Sequence, residues 1–215
     1  MVNPKTALAI AVSIVPLAIA RRLLYSSLFG YRIAPGAKIG FLTIIAVEGA
    51  DIEAGIIGRA NKFIGPYHLS IGRGTSIGRA NEFLCGRWVK EERFRDEKYE
   101  RFCHIGDDCV ITSAHKLDAT GGISLGARSW IAGEGSQFWT HGIGVKRRTI
   151  SIGADCYIGS AARFGPGSVI GDNNLVGLGS VVLGEHMIEN ALIAGVPARV
   201  LRTNYNWRTR HNQHD

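Results

Sequence analysis

An aliphatic residue with a small neighbour returns every six residues through most of this 215-residue chain. Ile33, Ile39, Ile45, Ile57, Phe63 and Leu69 are spaced by six or by twelve, with Asp51 as a weak member. The phase slips by two, and Ile71, Ile77 and Phe83 follow. Beyond an interruption come Ile105, Ile111, Leu117 and Ile123, and a second slip leads to Leu125, Ile131, Gln137 and Ile143. The clearest run closes the series with Ile152, Ile158, Phe164, Ile170, Val176, Val182 and Ile188. A period of six fits neither a helix nor an alternating strand. It fits a prism-like coil in which each hexad makes one short strand and one corner. The aliphatic residue points inward, and the small residue beside it lets the chain turn. Three hexads close one turn, so the spacing predicts an all-β parallel β-helix of about seven or eight stacked coils. The repeat occupies residues 31–202, between an apolar and basic helical segment at 1–30 and a tail at 203–215.

Composition agrees with short strands and tight turns. Gly occurs 28 times, about twice the usual share. The formal charge of +7 suits an anionic small molecule, a nucleic acid or an acidic membrane surface. No RNP, zinc-finger or helix-turn-helix signature is present, so nucleic acid is not the expected partner. Cys85, Cys103, Cys109 and Cys156 form no CxxC pair. They read as reduced thiols of a cytoplasmic protein.

Two segments break the repeat. "GRWVKEERFRDEKYERF" at 86–102 has helical spacing in Glu91 with Arg95 and Glu97 with Arg101. It is either a solvated charged loop or a flap over the acceptor site of a neighbouring subunit, with Trp88 or Phe94 against the substrate. "TALAIAVSIVPLAIA" at 6–20 is short for a membrane span and contains Pro16. It either caps the open end of the coil stack or packs on a partner subunit, or it lies in a membrane surface, residues 1–22 making peripheral contact with Arg21 and Arg22 at the headgroups.

The six-residue period and the closing stretch "AGVPARVLR" at 194–202 resemble the hexapeptide-repeat acyltransferases, in particular the maltose and galactoside acetyltransferase branch. The "SQFWTHG" variant at 136–142 and the apolar N-terminus resemble the surface-polysaccharide O-acetyltransferases related to that branch. The resemblance spans about residues 30 to 202 and implies that the β-helix is left-handed. Sequence alone would suggest the opposite hand, because parallel crossovers are right-handed in nearly all folds. It further implies acetyl-CoA as co-substrate, no metal, a carbohydrate acceptor, and a homotrimer with active sites between subunits. In "THGIGVKRRTISIG" His141 matches the family's general base, and in "SAHKLD" Asp118 resembles its acceptor-pocket carboxylate, which either binds sugar hydroxyls or orients an imidazole. Coenzyme A is expected along Tyr157, Gly159, Ser160, Gly177 and Gly179, with Arg199 and Arg202 matching the closing arginines that pair with phosphate. Lys146, Arg147 and Arg148 are either further phosphate candidates or part of a solvated charged loop. Where the family often has Thr-Lys after "GSVV", this chain has Leu183 and Gly184, so one familiar nucleotide contact is missing.

The chemistry asks for these residue types. A sugar hydroxyl attacks a thioester poorly until a neutral imidazole takes its proton. A backbone N–H at a glycine-rich corner is a natural donor to the developing oxyanion. Trp139 would wall the site against water, and Glu134 and Gln137 are further acceptor contacts. His115 has no counterpart in the branch. It is a second acceptor ligand, the base itself, or a structural corner residue. An N-acetyltransferase on an amino sugar or nucleotide sugar, a γ-type carbonic anhydrase with three zinc-binding histidines, and a non-catalytic scaffold are the competing functions.

Overall fold

The computed structural model describes residues 3–53 and 55–211. The outermost residues of the two expected terminal segments, 1–2 and 212–215, lie outside the described residues. The repeat folds as a parallel β-helix with three flat faces. The first face is a nine-stranded sheet that starts at Lys38–Ile39 and continues through Trp130–Glu134 and Tyr157–Ile158 to Leu192–Gly195. Its last strand, Ala198–Arg202, is antiparallel and folds back on Leu192–Gly195, which leaves eight parallel coils among the described residues. The second face includes Glu82–Leu84, Lys116–Asp118, Gln137–Phe138 and Arg163–Phe164. The third includes Phe102–Ile105, Ile123–Leu125 and Ile150–Ile152.

Inside, equivalent residues of successive coils stack. On the second face Ile45, Phe63, Phe83, Leu117, Phe138, Phe164 and Val182 pair in register. Phe63 lies parallel to Phe83 with centroids 4.5 Å apart, and Phe138 to Phe164 at 4.7 Å. Offset aromatic stacks of this kind add to the burial term. Phe138→Ala should cost about 3–5 kcal/mol, the range for removing a buried Phe, and chemical denaturation should show it as a lower midpoint. A midpoint within error of wild type would mean that the ladder relaxes into the gap.

The strict six-residue count fails where residues enter or leave a coil. Ile52, not Asp51, points inward, and Phe138 takes the place expected of Gln137. Ile143 is fully exposed rather than inward. His186 pairs with Ile170 where Ile188 was expected, and Ile188 is exposed. The corners also differ in mechanism. The left-handed turn conformation is taken by residues such as Ala60, Ala80 and Ala114, with φ of 58°, 57° and 58°. The glycine after the inward aliphatic residue serves a different need. A Cβ on Gly58 would lie 2.2 Å from the Gly78 carbonyl oxygen of the next coil.

The N-terminal segment forms α1 (Pro4–Ser13) and α2 (Ala18–Phe29), broken around Pro16. The hairpin caps the first coils. Arg21 does not face a headgroup region: it is 3% exposed, and its guanidinium donates to the carbonyls of Ile39 and Val15. The Tyr25 hydroxyl lies 3.1 Å from the Ala9 carbonyl oxygen and 2.8 Å from that of Thr43, joining α1 to the coil stack. Leu17, Ile19 and Leu23 remain exposed on the outer side. No helix among the described residues is long and apolar enough to cross a membrane. All four cysteines are free and buried, and burial pushes their thiols up.

Candidate active site

"LDAT" and "WTHG" leave the second face at the same corner, on neighbouring coils. Leu117 and Phe138 are paired, so Asp118 and the residues after Phe138 are brought together. Along this stretch the side chains alternate: Phe138 points in, Trp139 out and Thr140 in. His141 then begins a long loop that returns to the third face at Ile150.

Asp118 is the centre of a small network. Its Oδ2 accepts from the Thr140 amide at 3.0 Å and lies 2.6 Å from His141 Nδ1 and 2.8 Å from the Thr140 hydroxyl. Its Oδ1 accepts from the Thr120 amide at 3.1 Å. The Thr140 hydroxyl in turn accepts from the Gly121 amide at 2.8 Å. Burial pushes the Asp118 carboxyl up, but hydrogen bonds with Thr120, Thr140 and His141 outweigh it and hold the group below its usual range. An ionised Asp118 therefore faces Nδ1, so the neutral imidazole carries its proton there and keeps a lone pair on Nε2. The ring of His141 is partly exposed and meets Trp88 at 5.3 Å between centroids.

Trp88 belongs to the 86–102 excursion, which forms two 3-10 turns, Arg87–Lys90 and Glu92–Glu97. The expected helical pairs are not made. Arg95 meets Glu92, Arg101 meets Glu48, and Glu97 meets Arg148. The excursion lies over the His141 loop of its own chain, not only over open solvent. Between them is a pocket of about 460 Å³, lined in part by Trp88, Phe94, Tyr99, His141 and Lys146.

His115 is elsewhere. It lies at the corner before the second face, 1% exposed, in line with Asn61 and Asn81 of the preceding coils. Asn61 Oδ1 accepts from the Asn81 amide, Asn81 Oδ1 from the His115 amide, and His115 Nδ1 from the Ser136 amide. Its Nε2 is 3.0 Å from the Thr112 hydroxyl. Both nitrogens are engaged, so the ring has none to offer an acceptor or a proton in flight. Burial lowers its pKa to about 4. In the unfolded chain the group titrates near 6.5. Its contribution to stability is complete above that value and is lost as pH falls towards 4. The loss is on the order of 3 kcal/mol. Urea unfolding between pH 7 and pH 4 should show this slope in wild type and a shallower one in His115→Asn, which extends the asparagine ladder. Equal slopes would contradict the assignment.

The remaining candidates lie away from the pocket beside His141. Glu134 is exposed at the corner before the second face, and Gln137 and Trp139 lie on the face itself. Trp139 Nε1 donates to Gln137 Oε1 at 3.2 Å, and the Lys116 ammonium sits 5.1 Å from the Trp139 ring centre. Trp139 does not line the pocket beside His141; Trp88 does. Gly159, Ser160, Gly177 and Gly179 stack at the same corner as Glu134. Close coil contact explains the first of these glycines: a Cβ on Gly159 would be 2.7 Å from Leu178 N. Gly179 has φ of 66° and open space around it. Tyr157 packs 5.2 Å from Trp207 of α3 (Trp207–His211), so the C-terminal helix already occupies its neighbourhood. Arg199 and Arg202 are exposed on the final hairpin. Among the described residues no three His, Cys, Asp or Glu side chains gather to hold a metal ion.

Thr140 is the residue that inspection of motifs missed. Its signal is the alternation of "FWT", which turns a small hydroxyl inward beside the histidine.

No family model matches the chain. Over 53 residues it is 45% identical to the galactoside O-acetyltransferase of Escherichia coli (strain K12), covering 25% of this chain and 26% of that protein. The chain thus matches about a quarter of the length of this curated relative. Among solved structures, the polysialic acid O-acetyltransferase OatWY is 18% identical, with a TM-score of 0.46 and coverage of 82% of this chain and 86% of that one. A hexapeptide-repeat-containing acetyltransferase from Vibrio cholerae is 20% identical, with a TM-score of 0.45 and coverage of 93% and 88%. With its six-residue repeat, its coiled fold and this matched segment, the chain resembles the hexapeptide-repeat acyltransferases.

Proposed function

We propose that this protein is an O-acetyltransferase that moves an acetyl group from acetyl-CoA to a carbohydrate hydroxyl, with His141 as general base. The observation that carries the reading is the buried Asp118 carboxyl held 2.6 Å from Nδ1 of His141, which lines a pocket. Acetyl-CoA supplies an already activated acyl group. The protein's task is then to bind the acceptor, orient it and move one proton. His141 Nε2 takes the hydroxyl proton as the acceptor oxygen attacks the acyl carbon. The resulting imidazolium is stabilised by Asp118 and returns the proton to the departing thiolate. Thr140 and Thr120 saturate the carboxylate and so fix the ring's orientation.

His141 and the glycine corner lie at opposite edges of the second face. A single chain therefore does not bring them together, which favours a homotrimer with each site between two subunits. Arg199 and Arg202 are the cations suited to the phosphates of coenzyme A. Losing one charge-assisted phosphate contact costs roughly 1.5–3 kcal/mol. Arg199→Ala should therefore raise the acetyl-CoA KM about ten-fold or more, with kcat little changed. A thermal shift titration with acetyl-CoA should show the same loss of affinity. An unchanged KM with a lower kcat would place Arg199 outside the phosphate site, and the absence of any acetyl-CoA shift in wild type would refute the reading.

A further inference from the structure

We infer that the pocket between the 86–102 excursion and the His141 loop is an acceptor site within one chain, and that it takes a carboxylate-bearing sugar. This rests on the reading of His141 as the base.

Two insertions from different coils are clasped together here. The Arg148 guanidinium pairs with the Glu97 carboxylate, donates to the Glu97 carbonyl at 2.8 Å and lies 4.4 Å from the Tyr99 ring centre. The Thr149 hydroxyl donates to Glu100 at 2.7 Å. Trp88 is surrounded by Phe94 at 4.8 Å, Tyr99 at 5.2 Å and His141 at 5.3 Å. This clasp holds an aromatic wall against the imidazole. The volume of about 460 Å³ suits one or two sugar rings. A pyranose has one face rich in C–H groups, which gains by leaving water for an aromatic surface. Its hydroxyls on the other edge would meet His141.

The charge of the lining selects among sugars. Glu97 is matched by Arg148, and Arg93 pairs with Glu91. Lys146, also on the lining, pairs with no carboxylate among the described residues, so the pocket keeps a positive surplus. A carboxylate on the acceptor would meet that surplus. The same cation could instead meet a phosphate of coenzyme A, but the aromatic wall beside the base favours a sugar.

The test uses matched pairs: oligosaccharides of galacturonate, glucuronate and sialic acid, each as the free acid and as its methyl ester. The ester keeps the hydroxyls and removes the charge. At least one acid should show a KM about ten-fold or more below its ester. Lys146→Gln should collapse that ratio, and Trp88→Ala should raise KM for acid and ester alike. Equal KM values in every pair overturn the inference. So does a Lys146→Gln variant that keeps the ratio and raises the acetyl-CoA KM, which would assign the cation to coenzyme A. Saturation-transfer NMR without acetyl-CoA separates this inference from the reading beneath it. Trp88-dependent binding of an acid that is never acetylated would leave the pocket and remove O-acetyl transfer. Acetylation of neutral sugars alone would do the reverse.

Discussion

His141→Gln should bind acetyl-CoA as wild type does and lose transfer by about 10²–10⁴-fold, the usual scale for removing a general base. The loss should fall on kcat, because the imidazole acts only as the proton moves. Glutamine can still reach Asp118 through its side-chain amide, so the corner should keep its shape. His115→Asn is the matched control. His115 belongs to a hydrogen-bonded ladder rather than to the pocket, so its loss should register in stability, not in turnover. Turnover that survives His141→Gln and falls with His115→Asn would reverse the two roles.

Asp118→Asn should be nearly as damaging, for a different reason. The carboxylate accepts on both oxygens: Oδ1 from the Thr120 amide, and Oδ2 from the Thr140 amide and from His141. An asparagine has one acceptor and one donor end. If its NH2 replaces Oδ2, it opposes the Thr140 amide and forces His141 to carry its proton on Nε2, where it cannot act as a base. If its NH2 replaces Oδ1, it opposes the buried Thr120 amide, and an unmet donor costs about 1–3 kcal/mol. The imidazolium also loses its counter-charge in either orientation. Turnover should fall by about 10²–10⁴-fold, with a lower unfolding midpoint and a retained thermal shift by acetyl-CoA. Full activity in Asp118→Asn would show that His141 needs no oriented tautomer.

The three-faced coil was legible because burial of one side chain per hexad is a strong constraint, repeated over eight coils. Phe83, Leu117 and Phe164 could be placed by counting alone. Counting failed at Asp51 and Gln137, where the coil is longer by one residue and the bulky neighbour, Ile52 or Phe138, fills the interior instead. Size, not position, decides which residue is buried there. It failed at Ile143 for another reason, since that residue belongs to the loop that carries His141. Asp118 was open to two roles, binding sugar hydroxyls or orienting an imidazole; it lies 2.6 Å from His141 Nδ1 because Lys116–Asp118 and Gln137–Phe138 are neighbouring strands that leave the face at one corner. His115 was open to three roles because the ladder it joins is visible only when Asn61, Asn81 and Ser136 are seen above one another. The clasp between Glu97 and Arg148 was not legible, since it joins two insertions whose paths no repeat constrains. For the same reason the excursion was open to two readings, a solvated loop or a flap over a neighbouring subunit, and the contact of Trp88 with its own chain's His141 was not foreseen.

The most direct test of the account is a structure of the assembled protein with coenzyme A and an acceptor sugar. The account predicts a trimer in which the sulfur of coenzyme A, held along the glycine corner of one subunit, approaches the His141 imidazole of another. The acceptor oxygen should lie within hydrogen-bonding reach of Nε2, about 2.6–3.2 Å. Coenzyme A bound away from His141, or an acceptor oxygen directed to any other base, would contradict it.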